Sequence, residues 1–270
     1  MRIQIKRNNE MQYPEMGDNT NLFQRLANYI SIFDYEWIER IIPASRASID
    51  LLMKVAEVNK WEKKIPESYL IFLKYMGAND GGLLSKSLVG TAEIDEIIDL
   101  YEEFHKYSPE VFCEPYFSFF QREMGGELSF DLSGKHAQNI VETDNGEYFR
   151  VAAENFENLL FQCAFDRFVR YNNFISFSGS PNRFNKAISN HETEDIYKML
   201  DDIAKNYGLQ KTWFSDSNHY IALGISDSFC VKKMNGVLGF ATGNNKRIIE
   251  EISMVLSGNL GADIQRKELE

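Results

Sequence analysis

The chain has 270 residues, of which 44% are hydrophobic, 13% aromatic and 26% charged, enough apolar material for one large domain or two smaller ones. Its formal net charge is −11, carried mostly by residues 1–170, which hold 28 Asp/Glu against 18 Lys/Arg; residues 171–270 hold 12 against 11. A field of that sign repels nucleic acid and anionic lipid and draws in basic proteins, and no apolar run is long enough to span a membrane.

Residues 1–18 are polar and read as an irregular arm; MRIQIKRNNE has no apolar run behind its basic residues, so a signal peptide is not expected. A helix is predicted over 20–31, where Leu22, Phe23, Leu26 and Ile30 share a face. A second covers about 45–58, with Ser45 as cap and Ile49, Leu52, Met53 and Ala56 as its stripe. Pro66 opens a third helix, whose Tyr69, Phe72, Leu73 and Met76 are spaced i, i+3, i+4, i+7, and Gly77 closes it. A fourth helix over about 91–106 points Ile94, Ile97, Ile98, Tyr101 and Phe104 one way and Glu96, Asp99, Glu102 and Glu103 the other.

Strands are then predicted at Tyr116–Gln121, Glu127–Asp131, Asn139–Glu142 and Tyr148–Val151. The breaks between them, Met124-Gly125-Gly126, Ser133-Gly134 and Asp144-Asn145-Gly146, are turn material. A helix over about 154–170 follows, with Phe156, Leu159, Leu160 and Cys163 inward. Residues 171–190 are rich in Asn and Ser, lack acidic residues and read as a connector. Beyond them a helix over 192–206, strands near 211–214, 219–224, 228–234 and 237–242, and a helix over 244–257 make a small α-β4-α unit, with Asn235-Gly236 suited to a two-residue hairpin. The expected organisation is α+β: an arm at 1–18, a first domain at 19–170, a connector at 171–190 and a second domain at 191–270.

The chemistry-bearing residues are sparse. Cys113, Cys163 and Cys230 are odd in number and far apart, which argues against a disulfide framework or a zinc site and for a reducing, cytoplasmic setting. Neither His105, His136, His191 nor His219 has a second histidine at ligand spacing. Glu127 and Asp131, four apart on a strand, share a face, but a solvated or hydrogen-bonded pair is the simpler reading than a metal site. Dinucleotide, P-loop and HExxH patterns are absent, and Gly77-Ala78-Asn79-Asp80-Gly81-Gly82 lacks the Lys and Ser/Thr of a phosphate cradle. Trp213, Phe214 and Tyr220 lie near Lys211, Lys232 and Lys233 in the sequence, but aromatics alternating on a small sheet are usually core rather than a nucleic-acid platform. No catalytic residue, cofactor or metal is therefore expected.

Residues 60–165 resemble the SUKH superfamily, the Smi/Knr-type proteins that include bacterial immunity proteins and a fungal cell-wall regulator. The resemblance runs through Ile65, Pro66, Tyr69, Phe72, Leu73 and Gly77, then Phe120, Gly125, Gly126, Phe130, Asp131 and Leu132, then Ala152, Asn155, Phe156, Leu159 and Leu160. It departs at Asn139-Ile140-Val141, where the family often has Trp or His, and it covers under half the chain. It implies a twisted antiparallel sheet with flanking helices, burying Phe119, Phe130, Ile140, Phe149 and Phe156 in one core. It also implies immunity: a non-enzymatic protein that binds a cognate bacterial toxin and blocks it, or a regulatory or scaffolding protein with the same binding fold. A basic nuclease-type toxin domain is the partner the acidic charge suits, because nucleases carry basic clefts for their polyanionic substrates. The expected contact residues are Glu96, Asp99, Glu102 and Glu103 on the acidic helix, joined by Asp80, Glu123 and Glu127 in or beside the Gly-rich loops.

Overall fold

The structure is a computed structural model that describes residues 14, 16–17, 21–61, 64–107, 115–133, 139–144, 147–169, 171–178, 192–234, 238–260 and 263–268. Most of the expected arm, the 179–190 part of the connector, the turn residues Gly134, Asn145, Gly146, Asn235 and Gly236, and Cys113, His136 and His191 lie outside the described residues. The fold is α+β with antiparallel sheets, and the chain divides into two compact units whose described residues meet in sequence at Phe168 and Val169.

In the first unit, helices α1 (Leu22–Ser31), α2 (Trp37–Arg40), α3 (Arg46–Val58), α4 (Glu67–Met76), α5 (Leu84–Leu88) and α6 (Ile94–Tyr107) precede the main sheet, and α7 (Phe156–Phe168) follows it. The Ser45 hydroxyl accepts the Ser48 amide at the start of α3, satisfying one of the N–H groups a helix end leaves open. A two-stranded ribbon pairs β1 (Ile41–Ile42) with β2 (Asn79–Asp80). The five-stranded sheet is ordered β3 (Gly90–Thr91), β4 (Tyr116–Arg122), β5 (Glu127–Asp131), β6 (Ile140–Asp144) and β7 (Glu147–Ala153), each strand pairing with its neighbour in sequence. Gly125 and Gly126, at φ +91° and +82°, make the turn from β4 to β5, where an L side chain would be strained.

The core of this unit is aromatic. Tyr69 and Phe72 of α4 and Phe156 of α7 pack on Phe117, Phe119 and Phe130 of the sheet, with ring centroids from 4.5 to 6.1 Å apart. Each of these rings is almost wholly buried, and Ile140 joins them. Phe149, expected in the same core, does not: it is 60% exposed on the terminal strand β7, where shifts in the β6–β7 register break the alternation of the strand.

In the second unit, β8 (Asn173–Ser178) lies in a six-stranded sheet with β9 (Gln210–Lys211), β10 (His219–Leu223), β11 (Ser228–Met234), β12 (Leu238–Gly243) and β13 (Asp263–Glu268), in the order β13-β8-β12-β11-β10-β9. Helices α8 (Glu192–Asn206) and α9 (Lys246–Leu260) bury Leu200, Ile203, Ile248, Ile249, Ile252 and Leu256 with Ile175, Phe177, Tyr220, Phe229 and Val231 of the strands. Three sequence expectations need correction. Residues 173–178, read as connector, are an interior strand; β13 was not foreseen; and the strand placed at 211–214 ends at Lys211, with Trp213 and Phe214 beyond it.

Candidate protein-contact surface

The acidic helix α6 is held by the residues that face away from its carboxylates. Ile94, Ile97, Ile98, Leu100 and Tyr101 are buried, and the helix packs on α3 and on β4. Phe104, placed on the same face from the sequence, has a side chain outside the described set. The Tyr101 hydroxyl donates to the Ser118 carbonyl at 3.0 Å and accepts the Ser118 amide at 2.7 Å. It thereby satisfies a stretch of β4 that the short β3 does not reach, since β3 pairs only with Gln121 and Arg122. At its N-terminus the Ile94 amide donates to the Gly77 carbonyl, and the Thr91 hydroxyl accepts the Glu93 amide. Asp95 and Glu96 in the first turn and His105 and Lys106 in the last complement the helix dipole.

With that face anchored, Glu96, Asp99, Glu102 and Glu103 are all exposed, as are Glu93 and Asp95. No ion pair to any of them occurs among the described residues. Partial burial raises the Glu93 carboxyl above its ordinary range, and the negative charges of Glu96, Asp80 and Asp95 add to the shift.

The loop residues expected to extend this surface divide. Glu123 is exposed in the β4–β5 turn, and its amide donates to the Val89 carbonyl at 3.1 Å, which fixes the turn beside the strand leading into α6. Met124 next to it is 97% exposed, and Val89 is a β-branched residue at φ +57°. Asp80 is not on the surface. Its carboxylate accepts the Gly82, Leu84 and Ser85 amides and the Ser85 hydroxyl at 2.6–2.8 Å, and so holds the Gly-rich loop and the start of α5. With its hydrogen-bonding capacity spent inward, Asp80 is a loop-folding residue.

Glu127 is also buried, on the sheet face opposite the aromatic core. It ends a ladder of hydroxyls: Ser118 to Ser129 at 2.9 Å, Ser129 to Thr143 at 2.9 Å, and Thr143 donating to Glu127 at 3.1 Å. Burial pushes its carboxyl up, the Thr143 hydrogen bond opposes this and the Asp144 charge adds to it. Asp131, its former candidate partner, accepts the Ser133 amide instead. Nearness to glycine therefore does not imply exposure: the Asp80 carboxylate folds back onto the amides of its own loop, and Glu127 belongs to strand β5 and meets a hydroxyl of β6.

Sequence reasoning also missed a charged group on the core side of the sheet. Glu142 of β6 accepts Arg122 Nη2 at 2.7 Å and Arg150 Nε and Nη2 at 2.9 and 2.7 Å. Burial alone would raise its carboxyl, but the hydrogen bonds and charges of the two arginines outweigh this and hold it below its ordinary range. Arg150 faces Glu142 across the β6–β7 hairpin, but Arg122 comes from β4, two strands away, which no local spacing could have joined to them.

Cys163 and Cys230 are buried cysteines outside any disulfide, and His219 is a buried ring 3.4 Å from the Asp216 carboxylate. No three His, Cys, Asp or Glu side chains cluster as metal ligands among the described residues. No described helix is long and apolar enough to cross a membrane. Comparison of the chain with protein-family models, with curated proteins and with solved structures finds no match.

Proposed function

We propose that the first unit is a non-enzymatic protein-binding module of SUKH immunity type, and that it neutralises a cognate toxin in the cytoplasm by direct contact. The observation that carries the reading is α6: Glu96, Asp99, Glu102 and Glu103 stand exposed, without ion pairs among the described residues, on a helix whose opposite face is buried. Desolvating carboxylates is costly unless the partner supplies cations. The partner chemistry that fits is therefore a basic cleft of the kind a nuclease needs. Electrostatic steering would make association fast and salt-sensitive. Glu123 extends the surface; Asp80 and Glu127 are buried and do not belong to it. Burial of Cys163 and Cys230 outside any disulfide suits a reducing compartment.

The test is co-expression with the product of the adjacent gene. The parent chain should protect the cell, and the triple reversal Glu96→Lys, Asp99→Lys, Glu103→Lys should fold but lose protection, associate more slowly and show a weaker salt dependence. A triple variant that binds and protects like the parent removes α6 from the interface. A neighbouring product that is neither toxic nor bound rejects the immunity reading and leaves a regulatory or scaffolding role as its successor.

A further inference from the structure

The Arg122–Glu142–Arg150 group has an unbalanced charge. Two guanidiniums share one carboxylate, leaving one positive charge uncompensated within the group. The Glu142 side chain is 11% exposed, whereas Arg122 and Arg150 are 30% and 29% exposed, so the two arginine side chains are more open to solvent than the carboxylate they share. Arg122 spends one N–H on Glu142 and Arg150 two, and the enclosed Arg122 Nε has no acceptor. A guanidinium fork matches a planar or tetrahedral oxyanion with parallel N–H donors, and Glu142 already shows how one carboxylate spans both forks.

We infer that Arg122 and Arg150 form an oxyanion subsite on the first unit, which accepts a carboxylate or phosphate group on the solvent side of Glu142. Arg122 Nη2 and Arg150 Nη2 both meet Glu142 Oε1, so the carboxylate holds the two guanidiniums together, and the incoming anion takes the N–H groups that Glu142 does not use. Glu142 positions both forks and also sets the affinity, because its negative charge repels the ligand it helps to seat. The subsite stands apart from the acidic helix in both charge and residues, and it holds or fails independently of the toxin-binding reading.

Its test is a titration of the full chain, labelled with nitrogen-15 at arginine, with inorganic phosphate and separately with acetate at constant ionic strength. The Arg122 and Arg150 side-chain resonances should shift saturably and well beyond those of Arg46, whose side chain is 95% exposed and serves as the non-specific control. Glu142→Gln should tighten phosphate binding roughly threefold to tenfold, because one repelling charge a few ångströms away is removed. Arg122→Lys or Arg150→Lys should weaken it by losing the fork. Saturation by acetate alone identifies a protein or metabolite carboxylate as the ligand source, and saturation by phosphate alone a phosphate group. Shifts at Arg122 and Arg150 no larger than those at Arg46 with both anions overturn the subsite, and that comparison needs no variant to fold.

Discussion

The two units answer the same physical demand by different routes. Each is an antiparallel sheet with an apolar face covered by helices. In the first, the strands pair in the order in which they occur and the core is a cluster of six aromatic rings. In the second, β8 lies between β12 and β13, so a strand at the start of the unit is flanked by two from its end, and the core is mainly aliphatic. The first arrangement needs only short loop closures along its sheet. The second must order much of its chain before β8 acquires partners, which is a larger entropic cost before contacts repay it. Charge separates the units too, because the acid excess belongs to the first.

The largest expected effect tests the aromatic core. Phe130 is fully buried among Tyr69, Phe117, Phe119 and Phe156, and Phe130→Ala should cost about 3–5 kcal/mol in a denaturant melt. A loss under about 1 kcal/mol would mean that the ring does not occupy the centre of the cluster.

The next tests the non-local pairing of the second unit. Gly239 of β12 lies opposite Phe177 of β8, and a Cβ there would run into the Phe177 ring and sit 2.6 Å from the Lys232 carbonyl oxygen. Gly239→Val should therefore cost about 1–3 kcal/mol. The companion change Phe177→Ala should recover part of that loss despite its own cavity cost. Purely additive losses would sink the β8–β12 contact, since residues that touch are expected to couple.

The last effect separates two carboxylates of the first unit by sign. Glu127 has its carboxyl raised by burial, so its contribution is fully present below the ordinary carboxylate pKa and is lost as pH rises through the raised folded value. Glu142 is lowered, so its contribution is present above the ordinary value and is lost as pH falls through the lowered folded value. At neutral pH, Glu127→Gln should therefore stabilise slightly, and Glu142→Gln should destabilise by about 1–3 kcal/mol, with both differences shrinking in acid. Melting curves across pH 3–8 (about the span over which carboxyls of this kind titrate) would read both signs, and the same sign for the two variants would contradict the assigned environments.

What the sequence determined by itself was local. Helix faces are written in i, i+3, i+4 spacing, so Tyr69, Phe72 and Phe156 were legible as core and Glu96, Asp99, Glu102 and Glu103 as the outer face of α6. Turns rich in glycine marked the hairpin from β4 to β5. The tertiary structure alone decided what depends on partners distant in the chain. It made Asn173–Ser178 an interior strand, because pairing with β12 and β13 supplies backbone hydrogen bonds that its Asn- and Ser-rich composition did not advertise. It turned Asp80 inward to four donors and set Glu127 at the end of a hydroxyl ladder crossing β4, β5 and β6. It also brought Arg122 of β4 onto Glu142 of β6, beside its hairpin partner Arg150. Periodicity reports which way a side chain faces along its own element. Whether a charge ends in water or against a buried donor depends on which strands lie beside it, and in a sheet those are chosen by long-range pairing.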